Sequence, residues 1–417
     1  NLVDIILTNN GYMVYNLGIK VAISDMIEKA LEVDADAIGM SGLLVKSTLI
    51  MRENLEELNT RGLADRVPVL LGGAALTRTY VERDLRGVYG GRVFYGKDAF
   101  EGLRTMDTLV QGARDGSLDP AFGREEGGRK LPPRRSERAD EAVEIPARSD
   151  VATDVELFTP PFVGARVAKG VSLDEIAGFV NETALFRNQW QFRPQSGEPD
   201  VEFKTRIRPV FREQLDVAKQ QGLLVPAVAW GYFAVNAEGN DLVVWKDDTR
   251  TQEWLRFTFP RQRKAPFLSI ADFFRPAAGG EPDYAAFHVV TMGPVASARE
   301  KELFAANKYQ DYLFLHGLSV EMTEALAELW HKRIREEWGY VDEDGPTLAG
   351  LFKQQYRGSR YSWGYPACPE LEDQAKLAEL LAIDRIGVTL TEESHLVPEQ
   401  STSAIIVPHP EAKYFIV

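Results

Sequence analysis

Residues 358–370 read GSRYSWGYPACPE and hold the only cysteine of the chain, Cys368, with Arg360 just ahead of it. A nucleophilic cysteine needs a base or a positive local field to expose its thiolate. No histidine stands near Cys368 in sequence, and Pro369 pushes it toward an extended backbone. The sequence therefore reads Cys368 as a small packed residue. Pro366 and Pro369 stiffen the loop and Gly364 lets it turn, so the backbone of Gly364, Tyr365, Pro366, Ala367 and Cys368 can face a ligand. Arg360 offers a planar fork to a carboxylate, or else a surface ion pair. Glu324 lies one heptad before His331 in a helical pattern, which puts both on one face. A carboxylate there suits an ammonium or sulfonium group, or belongs to a solvated acidic face. Tyr414, near the C-terminus, can stack on or hydrogen-bond a flat ligand.

A second set lies near the N-terminus. Ser41-Gly42-Leu43 ends one apolar run, with Val45 and Ser47 just beyond, and Gly72-Gly73 ends the next. Paired glycines remove two side chains, so a bulky group can lie against backbone there. The plain alternatives are a turn and a helix cap.

The chain of 417 residues is 44% apolar and 26% charged, a globular composition with room for two or three domains. Its net charge of −14 argues against a nucleic-acid or membrane-surface binder, since both partners are anionic. One cysteine excludes an intrachain disulfide framework and a paired-cysteine zinc site, and fits a reducing compartment. No apolar run is long enough to span a bilayer. There is no P-loop and no G-x-G-x-x-G after the first strand, so a dinucleotide site is not expected. The opening "NLVDIILTNNGY" reads as the back half of a helix, which predicts a chain that is part of something longer.

Residues 1–111 alternate short strands with helices. Helix is expected at Leu2–Asn9, "AISDMIEKALEV", "TLIMRENLEELNTRG", "TYVERDL" and "DAFEGLRTMDTLVQG", and strand at "YMVYNLG", "ADAIGMSGLL", "VPVLLGGAAL" and "GRVFYG". That order predicts a doubly wound parallel α/β sheet of the Rossmann-like or flavodoxin-like kind, with ligands beyond the C-terminal strand ends. Residues 112–150, rich in charge, Gly and Pro, read as a flexible linker. Residues 151–417 read as α+β with an antiparallel sheet. Helix is expected at "SLDEIAGFVNETALFRNQW", "FREQLDVAKQQG" and 301–340, a hairpin with its turn at 237–240, and a strand at "DYAAFHVVTMG".

The order "SGL" then "LLGGA" on this βα pattern resembles a cobalamin-binding domain. The resemblance implies that the cofactor's nucleotide tail lies among Ser41, Leu43, Val45, Ser47, Gly72, Gly73 and Ala99. Val45 stands where relatives often carry threonine. The family's Asp-x-His-x-x-Gly motif, whose histidine ligates cobalt, is not found around any of the five histidines (288, 316, 331, 395 and 409) and is expected upstream of Asn1, together with the first strand. Ser47 then has no histidine to relay to, and no metal ligand is expected within the chain.

"TPPF" at 159–162, "TEALAELWHKRIR", "RxxxxGYPACP", "LT" at 390–391 and the terminal "HPxxKY" together resemble the reactivation domain of cobalamin-dependent methionine synthases. This implies S-adenosylmethionine bound with its carboxylate on Arg360, its adenine and ribose on Gly364, Tyr365, Pro366, Ala367 and Cys368, and Glu324 and Tyr414 at the border. The family often has an acid where Asn181 stands here, with Glu182 beside it. Residues 398–407 also depart from the usual small-residue stretch. In such enzymes, methyltransferases of methionine biosynthesis, cobalamin carries a methyl group from methyltetrahydrofolate to homocysteine. Oxidised Co(II) is restored with an electron from a flavodoxin-like partner and a methyl from S-adenosylmethionine. The resemblance implies cobalamin (as methylcobalamin) and S-adenosylmethionine as cofactors, a cytoplasmic location, and homocysteine and folate modules outside this chain, with zinc only in the former. No side-chain acid or base is expected to act in methyl transfer. The alternative is a corrinoid carrier with an unrelated α+β domain, which would not bind S-adenosylmethionine.

Overall fold

The computed structural model describes residues 2–18, 21–42, 45–73, 76–124, 145–279 and 283–417. The chain divides into two units, Asn1–Val143 and Glu144–Val417. Among the described residues no helix is long and apolar enough to cross a membrane.

The first unit is built on three short parallel strands in the order β1 (Ile38–Ser41), β2 (Val69–Gly72), β3 (Val93–Gly96). Strand alternation sorts their side chains to two faces. Ile38, Met40, Val69, Leu71 and Val93 pack with Ile27 and Ala30 of α2 (Ile23–Glu32) and with Met51, Leu55 and Leu58 of α3 (Val45–Thr60). Ala37, Leu70 and Phe94 pack instead with Leu7 of α1 (Leu2–Asn9) and Met106 and Leu109 of α4 (Ala99–Asp115). Helices on both faces make the sheet doubly wound. The expected helix at "TYVERDL" is a π-helical turn, Tyr80–Leu85. The expected strand "YMVYNLG" does not form. Tyr12 joins the Phe94 cluster and donates from its hydroxyl to Asp107 Oδ1 (2.6 Å), while Met13 and Leu17 stay exposed. A strand needs a neighbour for its backbone groups, and residues 12–18 pair with no strand among the described residues.

The expected linker is folded at both described ends. Helix α4 runs to Asp115, Leu118 N–H donates to Gly112 C=O, and the Phe122 ring packs tilted against Phe94 at 4.7 Å. At the far end Ser149 Oγ donates to Asp272 Oδ2 (2.8 Å) and Arg148 Nη2 donates to Phe274 C=O (3.2 Å). Residues 125–144 lie outside the described residues.

The second unit carries a seven-stranded antiparallel sheet: β4 (Gly164–Lys169), β5 (Ala227–Glu238), β6 (Asp241–Trp245), β7 (Glu253–Thr258), β8 (Asp283–Thr291), β9 (Ser359–Ser362) and β12 (Ser401–Val407). The order is β7-β6-β5-β8-β12-β9, and β5 pairs β4 along its first half and β6 along its last. Gly239, at φ +62°, closes the β5–β6 hairpin where the turn is expected. A second, two-stranded sheet pairs β10 (Thr389–Leu390) with β11 (Leu396–Val397). Helices α5 (Leu173–Ala177), α6 (Asp200–Gln220), α7 (Pro294–Ala305), α8 (Tyr309–Trp338), α9 (Leu348–Leu351) and α10 (Gln374–Leu381) complete the unit.

Two helices expected as continuous are broken. The stretch over 172–190 divides into α5 and a π-helical turn, Ala184–Gln189, because Asn181 Oδ1 accepts from Thr183 and Ala184 N–H and starts a new turn. The stretch over 301–340 breaks at Asn307, which takes φ +58° between α7 and α8. Helix α8 is the spine of the unit. Trp330 packs edge-on to Trp230 at 4.8 Å, and Trp338 to Tyr232 at 5.0 Å, laying the helix across one face of the sheet.

Candidate functional site

At the C-terminal edge of the parallel sheet, Ser41, Gly72 and Gly96 sit in register on adjacent strands. Gly42 N–H donates to Gly72 C=O (3.0 Å), drawing the two strand ends together. Gly73 takes φ +102°, and a Cβ there would stand 2.2 Å from Gly42 oxygen. A Cβ on Gly42 would stand 2.7 Å from Ser47 Cβ. So Ser41, Ser47, Gly72 and Gly73 meet in one crowded corner that only glycine backbone fits. Ala99 is buried at the start of α4, directly beyond β3, where Asp98 caps the helix by accepting from Glu101 N–H (2.9 Å). Leu43 and the side chain of Val45 lie outside the described residues. No cluster of metal-ligating side chains occurs among the described residues.

In the second unit the edge strand β9 supplies Arg360, paired across the sheet with Ile406. Beyond it the loop folds on itself: Gly364 N–H donates to Cys368 C=O (2.8 Å) and Cys368 N–H to Tyr365 C=O (2.9 Å). This turn carries Pro366 and Ala367 at its tip and leaves the Tyr365 ring 51% exposed. Cys368 is buried, and burial, with Asp373 and Glu370 nearby, pushes its thiol well above the ordinary range. It is a packed residue, as its sequence context predicts. The chain's last segment is tied back by Tyr361 hydroxyl donating to Lys413 C=O (2.8 Å) and Lys413 Nζ to Tyr356 C=O (2.6 Å), with Tyr414 46% exposed beside it.

Opposite this loop, α8 presents Glu321, Glu324, Glu328, His331 and Arg335, alternately three and four residues apart along one face. Such a stripe is normally apolar where a helix meets a sheet. Here every member is ionisable, and all but Glu324 are buried. Arg360 Nη1 donates to Glu328 Oε2 (2.7 Å). Burial pulls the guanidinium pKa down, but Glu328, Tyr356 and Glu324 outweigh it and hold Arg360 charged. Glu324 is open to water yet closely surrounded; burial raises its carboxyl, Arg360 pulls it back and Glu328 adds to the rise. Tyr365 is raised by burial and then by Glu324 and Tyr414, with Arg360 opposing. Arg360, Glu324, Tyr365 and Tyr414 are therefore near enough to act on one another, and they bound the candidate cleft.

Behind this cluster lie His331, which its spacing from Glu324 put on the same helix face, and His288, which the sequence did not place. His288 of β8 and His331 of α8 are both fully buried, and no ring nitrogen of either has a hydrogen-bond partner among the described residues. Burial and the nearby Arg360 drive His288 down to about 3, and burial with Arg335 and Arg360 drives His331 well below its ordinary value, so both are neutral. Glu328 was not singled out, although its spacing of four from Glu324 puts it on the same helix face. His288 was not legible, because β8 is apolar around it and alternation alone does not say which strand faces α8.

Asn181 and Glu182 are engaged elsewhere. Asn181 caps its own turn, and Glu182 forms a two-bond pair with Arg208 of α6 (2.6 and 2.9 Å). The carboxylate beside Asn181 is thus held by a cation already.

Glu321 gives the fold a pH dependence. Its carboxyl is 7% exposed, and burial pushes it up to about 7, opposed by a hydrogen bond from Gln189 and aided by Glu324. From the ordinary carboxylate value up to about 7, the folded chain holds a proton that the unfolded chain has released. Stability therefore falls as pH rises through that window, by about 3 kcal/mol for this group alone. Buried Asp283 and Asp373, also raised, add slope of the same sign. Glu321→Gln is expected to remove its share, so that urea unfolding at pH 8 shows a gain that is absent at pH 5. Equal pH slopes in variant and parent would contradict this.

Fold and site together define a two-part chain: a doubly wound α/β sheet with a glycine-lined corner at its strand ends, and an antiparallel α+β unit in which Arg360, Glu324, Tyr365 and Tyr414 lie near one another. The model of the vitamin B12 dependent methionine synthase activation domain matches residues 172–417, and the chain belongs to that family. A model of the B12 binding domain matches residues 1–104. Methionine synthase of Mycobacterium tuberculosis (strain ATCC 25618 / H37Rv) is 49% identical over 448 residues, and that of Mycobacterium leprae (strain TN) 48% over 449. Each alignment covers 100% of this chain but 37% of the relative, so the chain spans about a third of their length. The crystal structure of the MetH reactivation domain bound to AdoHcy superposes with a TM-score of 0.58 at 27% identity, over 63% of this chain and 83% of that one.

Proposed function

We propose that this chain is the cobalamin-holding and reactivation part of a methionine synthase, and that its second unit binds S-adenosylmethionine in the Arg360 cleft. The observation that carries this reading is the Arg360 guanidinium. Glu328 takes only Nη1, and no hydrogen bond or ion pair engages the Nε–Nη2 edge among the described residues. That edge matches a carboxylate with two parallel bonds. Glu324 stands beside it to attract an ammonium or sulfonium, and Tyr365 and Tyr414 offer exposed rings for adenine or ribose. The tight turn at Gly364, Tyr365, Pro366, Ala367 and Cys368 would form the wall. Asn181 and Glu182 are the weaker members of the proposed set, since their polar atoms are already bonded. The AdoHcy in the similar reactivation domain is of the same chemical class as the proposed ligand.

In the first unit, Ser41, Ser47, Gly72, Gly73 and Ala99, with Leu43 and Val45, would line the corrinoid tail. The strand-end corner fits that role because its glycines leave backbone bare at the edge of the sheet. A bound cobalamin would supply the cobalt that accepts the methyl group. The residues of this chain would bind, orient and exclude water, holding the sulfonium methyl in line, and no side-chain acid or base is required. The division into 1–111, 112–150 and 151–417, a cytoplasmic setting, a flavodoxin-like electron donor, and homocysteine and folate modules elsewhere in the protein belong to the same reading. Equilibrium dialysis of the full chain against labelled S-adenosylmethionine tests it. Saturation at one ligand per chain is expected. Retention of cobalamin without S-adenosylmethionine would favour a corrinoid carrier and overturn the assignment of the cleft.

A further inference from the structure

We infer that Glu328 is a positioning residue for the ligand's carboxylate, fixing Arg360 so that its Nε–Nη2 edge faces the cleft. This rests on the reading that Arg360 receives that carboxylate.

Arg360 is a long side chain on an edge strand, with four rotatable bonds to immobilise before it can pair with two oxygens at once. The hydrogen bond of its Nη1 to Glu328 Oε2, at 2.7 Å, is the one fixed contact of the guanidinium among the described residues. The choice of nitrogen matters. Nη1 lies on the Cδ side of the planar group, so a carboxylate held there leaves Nε and Nη2 together as an unbroken two-donor edge. A partner on Nη2 would split that edge and leave the ligand one bond at a time.

Glu328 is itself held in place. It is 5% exposed, on the sheet-facing stripe of α8, and cannot swing into water. Its neighbours do not compete for it. Arg335, two turns along, is occupied by Asp344 through two bonds of 2.7 Å each. His331 lies between them and His288 across from it, and both are kept neutral by burial and by the adjacent guanidinium groups. The cations and acids around the pair are thus Arg335, Asp344 and Glu324, with Tyr356 as the neutral wall, and Glu328 is left to Arg360 alone. The second oxygen, Oε1, is buried with no hydrogen-bond partner among the described residues. The helix supplies a buried, dedicated anion whose effect is to orient a cation that then reaches outward.

The test separates the amino-acid end of the ligand, which bears the carboxylate, from the rest. S-adenosylhomocysteine and 5′-methylthioadenosine share adenine, ribose and sulfur, but the second has no amino-acid carboxylate. Calorimetric titration of both into the full chain and its Glu328→Ala and Glu328→Gln variants gives two dissociation constants per protein. Glu328→Ala is expected to weaken S-adenosylhomocysteine about tenfold and leave 5′-methylthioadenosine within twofold, with Glu328→Gln between. Thermal unfolding checks that each variant is folded. Equal weakening of both ligands would mean that Glu328 only supports the fold, and no change in either would mean that Arg360 needs no anchor. Tighter S-adenosylhomocysteine would mean that Glu328 competes with the ligand. Each of these overturns the inference. If the parent chain binds both ligands equally well, Arg360 does not read the carboxylate, and the reading on which the inference rests fails with it.

Discussion

Arg360→Lys is expected to weaken S-adenosylmethionine binding by about 1.5–3 kcal/mol, tenfold or more, with little change in stability. The lysine keeps a cation near Glu328, so the buried acid retains a partner. What it lacks is the planar pair of donors, and only the ligand feels that loss. Arg360→Ala should weaken binding by at least as much, but it also leaves Glu328, 5% exposed, without its cation. Removing one member of a buried pair costs about 3–5 kcal/mol of stability, the lower figure being apt here because water reaches part of Arg360. The two variants thus separate recognition from folding. Calorimetry reads the first and urea unfolding the second. An unchanged dissociation constant in Arg360→Lys would remove the arginine from the site.

Gly73→Ala is expected to produce the largest loss in the first unit. At φ +102° a side chain already strains the backbone by about 1–3 kcal/mol. The added Cβ would also stand 2.2 Å from Gly42 oxygen and 2.6 Å from Gly42 nitrogen, both rigid backbone atoms that hold β1 to β2. Neither can move without breaking the Gly42–Gly72 hydrogen bond. The combined cost is expected to exceed about 3 kcal/mol and to abolish corrinoid retention at the strand ends. Gly39→Ala is the control, since nothing lies within 4 Å of a Cβ built there. Equal urea midpoints for the two variants would show that the strand-end corner is not crowded in solution.

Much of this was legible in residue types and order. The paired glycines at the end of β2 announced a place where backbone lies bare: a Cβ on Gly73 would stand 2.2 Å from Gly42 oxygen, and one on Gly72 3.0 Å from Gly96 oxygen. The loop "GYPACP" announced a tight turn, and Arg360 an anion fork. What sequence could not place was the partner of that fork. Glu324 and Glu328 are one turn apart, and either would serve; only the packing of α8 across β8 and β12 brings Glu328 to Nη1 and leaves Glu324 exposed. His288 was invisible because burial among Val, Phe and Ala on β8 looks the same whichever neighbour it meets. Residues 12–18 have the composition of a strand and pair with no strand among the described residues. The helix expected over 172–190 breaks because Asn181 binds its own backbone, a local competition that apolar periodicity does not register.

A crystal structure of the chain with S-adenosylhomocysteine bears on the cleft more directly than any titration. The expected result is the ligand's carboxylate paired to Nε and Nη2 of Arg360, Glu328 still on Nη1, and the amino group or sulfur facing Glu324. Ligand bound away from Arg360, or Arg360 turned so that Glu328 occupies Nε and Nη2, would contradict it.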